Sequence, residues 1–207
     1  MMNPVREVCV ESYQEALRAA AAGATRIELC ENLSCGGTTP SYGTIKKTIG
    51  QLQIPVMVMI RPHGCDFCYS DDEFEIMRHD IGICHALGAD GVVFGLLNPD
   101  LSIDIERTTE LVNLARPMQV TFHKAIDLTN DIILSVNILK NIGVDRILSS
   151  GGQETAVEGY ETLLKMIEAA GDRLKIIVAG KVTFENFDEV RKLIPSPEYH
   201  GRRLVKF

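Results

Sequence analysis

The chain has 207 residues, 45% of them hydrophobic and 24% charged, the composition of one globular domain rather than of a disordered segment. Its 21 Lys and Arg against 28 Asp and Glu leave a formal charge of −7, which argues against the basic footprint of a nucleic-acid binder. The longest apolar run, Val56-Met57-Val58-Met59-Ile60, falls far short of the roughly 20 residues that span a bilayer, so no membrane partner is expected.

The opening residues Met1 to Glu7 hold no apolar signal segment. A cytoplasmic protein is therefore expected, with its six cysteines as reduced thiols. Strands are expected at Arg6–Val10, Arg26–Cys30, Val56–Arg61, Gly91–Gly95, Val120–His123, Arg146–Ser149, Lys175–Ala179 and Glu198–His200. Ser12-Tyr13-Gln14-Glu15, Ser70-Asp71-Asp72-Glu73 and Thr155-Ala156-Val157-Glu158 match the capping box and open helices between them. After the second, Phe74, Met77, Ile81 and Cys84 recur at helical spacing and should face the sheet. Further helices are expected near Ile45–Leu52, Ile105–Ala115, Ile132–Asn141 and Phe184–Leu193.

One short pattern recurs at Gly23-Ala24-Thr25-Arg26-Ile27, Gly88-Ala89-Asp90-Gly91-Val92 and Gly143-Val144-Asp145-Arg146-Ile147. Glycine stops a helix because it accepts φ > 0 without a Cβ penalty, and the apolar residues that follow start a strand. The copies precede the second, fourth and sixth strands, which fits the alternating layers of a (β/α)8 TIM barrel formed by residues 1–207 as a single domain. A doubly wound sheet would show a GxGxxG turn after its first strand, and Cys9-Val10-Glu11-Ser12 is nothing of the kind.

In such a barrel the functional face lies at the C-terminal ends of the strands. Those ends carry Glu7, Cys9, Glu28, Cys30, Arg61, His123, Ser149, Ser150, Glu198 and His200. Alternate strand residues share a face, so the repeated Glu-x-Cys places Glu7 with Cys9 and Glu28 with Cys30. Charges are costly inside a barrel unless they are paired or functional. Two readings stay open here. Glu7 and Glu28 pair structurally with Arg26 or Arg61, with Cys9, Cys30 and His123 as core residues; or the group forms a site. In an enzyme acting on a small anionic substrate, Glu7, Glu28 and His123 would move protons while Arg61, Lys181 and His200 would bind the substrate.

Several strings together resemble the CutC family, whose members are named for copper homeostasis. They include Glu7-Val8-Cys9-Val10-Glu11-Ser12, Arg26-Ile27-Glu28-Leu29-Cys30, Gly36-Gly37-Thr38-Thr39-Pro40-Ser41, Met59-Ile60-Arg61-Pro62, Asp66-Phe67-Cys68-Tyr69-Ser70-Asp71 and Val120-Thr121-Phe122-His123-Lys124-Ala125. Their order and spacing match from residue 5 to about 200. The resemblance implies a (β/α)8 barrel, a cytoplasmic location and a link to copper, with Cys9 and Cys30 as Cu(I) ligands. Thiolate and thioether sulfur suit soft Cu(I), and Met57 and Met59 share Arg61's face. The family's usual loop after the third strand is similar to Arg-Pro-Arg-Gly-Gly-Asp-Phe. Here it reads Arg61-Pro62-His63-Gly64-Cys65-Asp66-Phe67-Cys68, so His63, Cys65 and Cys68 are possible extra soft ligands, with a redox pair or neutral drift as the alternatives.

The expected ligands are thus a metal ion or a small molecule. A (β/α)8 barrel typically takes about 250 residues, and after His200 too few remain for a closing helix. Either the chain is short relative to the family it resembles, or an apolar strip between the last and first helices is covered by a second copy in a homo-oligomer, which is the corresponding expectation.

Overall fold

The computed structural model describes residues 3–207; the reading made on Met1 and Met2 lies outside the described residues. Strands and helices alternate: β1 Val5–Val10, α1 Tyr13–Ala21, β2 Arg26–Leu29, α2 Tyr42–Ile49, β3 Val56–Met59, α3 Asp71–Leu87, β4 Gly91–Phe94, α4 Ile105–Ala115, β5 Gln119–Phe122, α5 Ile132–Ile142, β6 Arg146–Ser149, α6 Tyr160–Ala170, β7 Lys175–Val178, α7 Phe187–Leu193 and β8 Glu198–His200. All neighbouring strands are parallel, and β1 pairs with β8, so the sheet closes into the expected (β/α)8 barrel.

Strand parity sorts the side chains. Val8, Ile27, Val58, Val92, Val120, Ile147, Ile176 and Tyr199 point outward into one large core shared with the helices. The opposite parity lines the barrel interior, where two small apolar clusters form: Cys30, Met57, Met59 and Val93 on one side, Leu148, Ile177 and Ala179 on the other. Gly91 leaves room for the first cluster, since a Cβ there would lie 2.2 Å from Met57 Cε and 2.6 Å from the Gln119 carbonyl.

The recurring Gly-x-polar pattern has a structural role at the base of the barrel. Its glycines, Gly23, Gly88 and Gly143, all take positive φ. Its polar residue accepts a backbone N–H from the start of the preceding strand: Thr25 Oγ1 from Arg6 at 2.8 Å, Asp90 Oδ2 from Val56 at 2.8 Å, and Asp145 Oδ2 from Val120 at 2.7 Å. Each copy therefore ends a helix and ties two strands together.

Ser70 completes the capping box of α3: its N–H donates to Glu73 Oε2 at 2.8 Å while Glu73 N–H donates to Ser70 Oγ at 3.3 Å. Met77, Ile81 and Cys84 are buried on the sheet-facing side, with Phe74 half-buried beside them. The Thr155–Glu158 box forms the same reciprocal bonds but closes a turn; α6 begins later, after Gly159. Likewise α7 begins at Phe187 rather than Phe184, because Asn186 Oδ1 accepts from Thr183 N–H and holds residues 183–186 as a turn. Two short 3-10 segments, Leu33–Cys35 after β2 and Lys124–Leu128 after β5, add to the functional face. Beyond β8 the chain runs on without a helix; Leu204 and Val205 are buried in the main core, and Arg203 O accepts from Phe184 N–H at 2.7 Å. Among the described residues no helix is long and apolar enough to cross a membrane.

Candidate functional site

The deepest polar layer of the barrel is an ion network. Arg26 on β2 donates Nε to Glu7 Oε2 at 2.5 Å and Nη2 to Glu198 on β8, and Arg146 Nε on β6 donates to Glu198 Oε2 at 3.0 Å. Glu7 also accepts from His200 Nδ1 at 2.8 Å through Oε1. Burial pushes the Glu7 carboxyl up, but Arg26 and His200 outweigh it and bring the pKa down to about 2. The pairing that the sequence left open is therefore realised between Glu7 and Arg26.

Above it, Cys9 Sγ, a Glu28 carboxylate oxygen and a His200 ring nitrogen all lie within 4.8 Å of one another. His200 Nε2 is 3.8 Å from Glu28 Oε2. Burial disfavours a charged His200, yet Glu28 and Cys9 more than compensate and raise its pKa well above the ordinary value. The Glu28 carboxyl is raised chiefly by burial. Cys30 donates to Glu28 Oε2 at 3.5 Å, and burial followed by the Glu28 charge pushes its thiol pKa well up. Register explains the grouping. Cys9 pairs with Glu28, which leaves Cys30 two residues farther along β2, about 7 Å at strand rise.

The mouth opens into a cavity of about 410 Å³ lined by Cys9, Glu28, Arg61, His123 and His200, with Leu33, Met59, Phe67 and Leu148 as its apolar wall. Arg61 is 4% exposed and has no ion-pair partner among the described residues. Its Nη1 donates to the carbonyls of Cys35 at 3.1 Å and Gly37 at 3.0 Å, its plane stacks on Phe67 at 4.7 Å, and its buried Nε has no partner. Gly36 (φ +83°) and Gly37 (φ +91°) give the loop after β2 the left-handed turn that brings these carbonyls to the guanidinium. His123 follows β5 and is 4% exposed, its ring 4.8 Å from that of Phe67. Its Nδ1 accepts from Ala125 N–H at 3.2 Å, so a neutral ring carries its proton on Nε2, and that atom is buried without a partner. Burial first, then the Arg61 charge, lowers the pKa of His123 to about 3, so the ring is neutral. Gly95 makes room for it: a Cβ there would lie 2.5 Å from the imidazole.

Of the remaining sequence candidates, Cys65 reaches the mouth cavity, while His63, Cys68 and Lys181 do not line it. His63 Nε2 contacts Glu73 Oε1 at 3.3 Å, and its Nδ1 accepts from Cys65 N–H at 3.3 Å. Cys65 lines the mouth cavity, whereas Cys68 lines a separate cavity beside Tyr69 and Arg107. Lys181 is paired with Glu154 and borders a cavity formed by the loops after β7 and β8, together with Lys124, Arg202 and Arg203. Sequence reading passed over Leu33 and Phe67 as mouth residues, and the Gly36-Gly37 pair was the available signal that the chain turns back there. Ser149 and Ser150 belong to a clamp around Asp127, whose Oδ2 accepts from Ser150 N–H at 3.0 Å.

The CutC family model matches residues 4–204. A human protein named copper homeostasis protein cutC homolog is 43% identical over 194 residues, covering 94% of this chain and 71% of that protein. A family protein CutC of Mesorhizobium japonicum is 42% identical over 201 residues, covering 97% of this chain and 78% of its own length. Among solved structures, a CutC protein from Streptococcus agalactiae superposes with a TM-score of 0.92 at 35% identity, over 98% of this chain and 100% of that one. A deoxyribose phosphate aldolase from Aeropyrum pernix reaches a TM-score of 0.71 at 12% identity, over 97% of this chain and 86% of that one, a likeness of fold alone. Barrel, sequence strings and a family match over nearly the whole length agree, and this chain belongs to the CutC family.

Proposed function

We propose that this chain takes part in copper handling by binding Cu(I) at the barrel mouth, in a cytoplasmic setting to which its six free thiols are suited. The observation that carries the reading is the convergence of Cys9 Sγ, His200 nitrogen and Glu28 oxygen within 4.8 Å on the cavity wall. Thiolate sulfur and imidazole nitrogen are the donors a soft ion prefers; the harder carboxylate is better suited to taking up the proton that either donor gives up. Cys30, hydrogen-bonded to the same Glu28, is the next thiol along β2 and the second sulfur that the family resemblance implies. The relatives named for copper homeostasis support the same reading.

Anaerobic Cu(I) titration against a chromophoric chelator tests it. One equivalent is expected to bind to the native chain. Cys9→Ser and His200→Gln are each expected to weaken binding strongly, and Cys30→Ser reports whether that thiol joins the site. Undiminished binding in Cys9→Ser would remove the proposal.

A further inference from the structure

We propose that the mouth cavity also holds the carboxylate of a small organic acid, bound by Arg61 and His123. The reading is independent of copper and rests on a buried guanidinium without a counter-charge and an imidazole N–H without an acceptor among the described residues.

A guanidinium keeps its charge in proteins, and an uncompensated buried charge is costly. Arg61 is buried on the cavity wall with no carboxylate paired to it, and its Nε is unpartnered. Both Nη1 hydrogens are engaged by the Cys35 and Gly37 carbonyls, which leaves the Nε edge, with the Tyr69 hydroxyl nearby, without a charged acceptor among the described residues. That edge matches the two oxygens of a planar carboxylate. His123 lines the same cavity, and its Ala125 contact leaves Nε2–H as a second buried donor without an acceptor. Phe67 lies against both groups, under the Arg61 guanidinium and tilted against His123, so one aromatic ring touches both donors.

Charge and lining narrow the ligand class. His200 is matched by Glu7 and Glu28 and Lys124 by Asp127, so Arg61 is the cation left over, and one such charge beside the neutral His123 ring balances a monoanion. Leu33, Met59, Phe67 and Leu148 offer an apolar wall for the body of the acid. A cavity of about 410 Å³ is of the size that encloses small ligands. A dianionic phosphate would find no second cation on this wall free of a carboxylate, since His200 faces Glu7 and Glu28 and Lys124 contacts Asp127 at 3.2 Å.

Benzoate and pyruvate are suitable probes, with inorganic phosphate as the comparison, read by calorimetric titration of the full chain. Saturable binding of a carboxylate probe is expected in the native protein, about tenfold or more weaker in Arg61→Met, as befits loss of a charge-assisted contact. Because that variant also loses two loop contacts, the second measurement uses the native chain: the His123 ring Nε2–H resonance should shift on addition of the probe. Unchanged Cu(I) binding in Arg61→Met would keep this site distinct from the metal reading, so the failure of one leaves the other standing. The proposal is overturned if neither carboxylate binds, if phosphate binds and carboxylates do not, if Arg61→Met binds them as well as the native chain, or if the His123 resonance stays in place.

Discussion

Replacing Arg26 by Met removes the hub of the interior ion network while keeping the length of the side-chain stem. Arg26 is 4% exposed, Glu7 1% and Glu198 6%, so the carboxylates left behind cannot recover their hydration. Glu198 would retain Arg146, but Glu7 would face only His200. Removing one partner of a buried pair costs about 3–5 kcal/mol. The Glu7 carboxyl gives an independent figure: a pKa held at about 2 rather than 4.5 corresponds to about 3 kcal/mol of stabilisation at neutral pH, lost as pH falls from 4.5 towards 2. In a domain of this size each kcal/mol moves the melting temperature by about 2–4 °C, so Arg26→Met should melt about 10 °C lower at pH 7. Calorimetry on Arg26→Met, Glu7→Gln and the double variant completes a cycle. The double variant should lose less than the sum of the singles by about 1–3 kcal/mol, since each single leaves its partner stranded. A fall of less than about 3 °C in Arg26→Met, or strict additivity in the cycle, would refute the reasoning.

Two further predictions concern the mouth. His123 stays neutral in the folded chain down to a pKa of about 3, whereas in the unfolded chain it takes up a proton below its usual 6.5. Stability should therefore fall as pH drops through that window, by about 1.4 kcal/mol per pH unit for this one group. Urea unfolding from pH 7 to pH 4 should show a shallower acid loss in His123→Gln; equal slopes in the two proteins would contradict the assignment. Gly95→Ala should cost about 1–3 kcal/mol, because its new methyl must displace the His123 ring. The melting temperature reports it, and His123→Ala in the same background should remove most of that added cost; a native-like melt in Gly95→Ala alone would show that the ring moves freely.

Much of the fold was legible in the chain. The Gly-x-polar repeats marked strand starts because glycine alone relieves the left-handed helix end, and the following Thr or Asp has the acceptor that a neighbouring strand needs. Strand parity, with a period of two, separated Val8 and Ile27 from Glu7 and Glu28 before any geometry was known. Helix onsets were legible where a box sat directly on the helix, as at Ser70. They were misplaced where the same hydrogen bonds could close a turn, as at Thr155.

The sequence by itself determined the alternation of strands and helices, the faces of each strand and the polar character of the barrel mouth. Tertiary structure alone decided which of those polar groups meet. Arg26 and Glu198 lie 172 residues apart and are joined only because β8 closes on β1. Cys9 stands beside Glu28 and His200 rather than level with Cys30 because the register between β1 and β2 sets the depth of each side chain. Parity is a property of one strand and can be read from it. Depth and partnership are properties of pairs of strands, fixed by hydrogen-bond register and barrel closure. That is why Glu7 becomes part of a structural network while Arg61, also buried, is left without an ion-pair partner among the described residues.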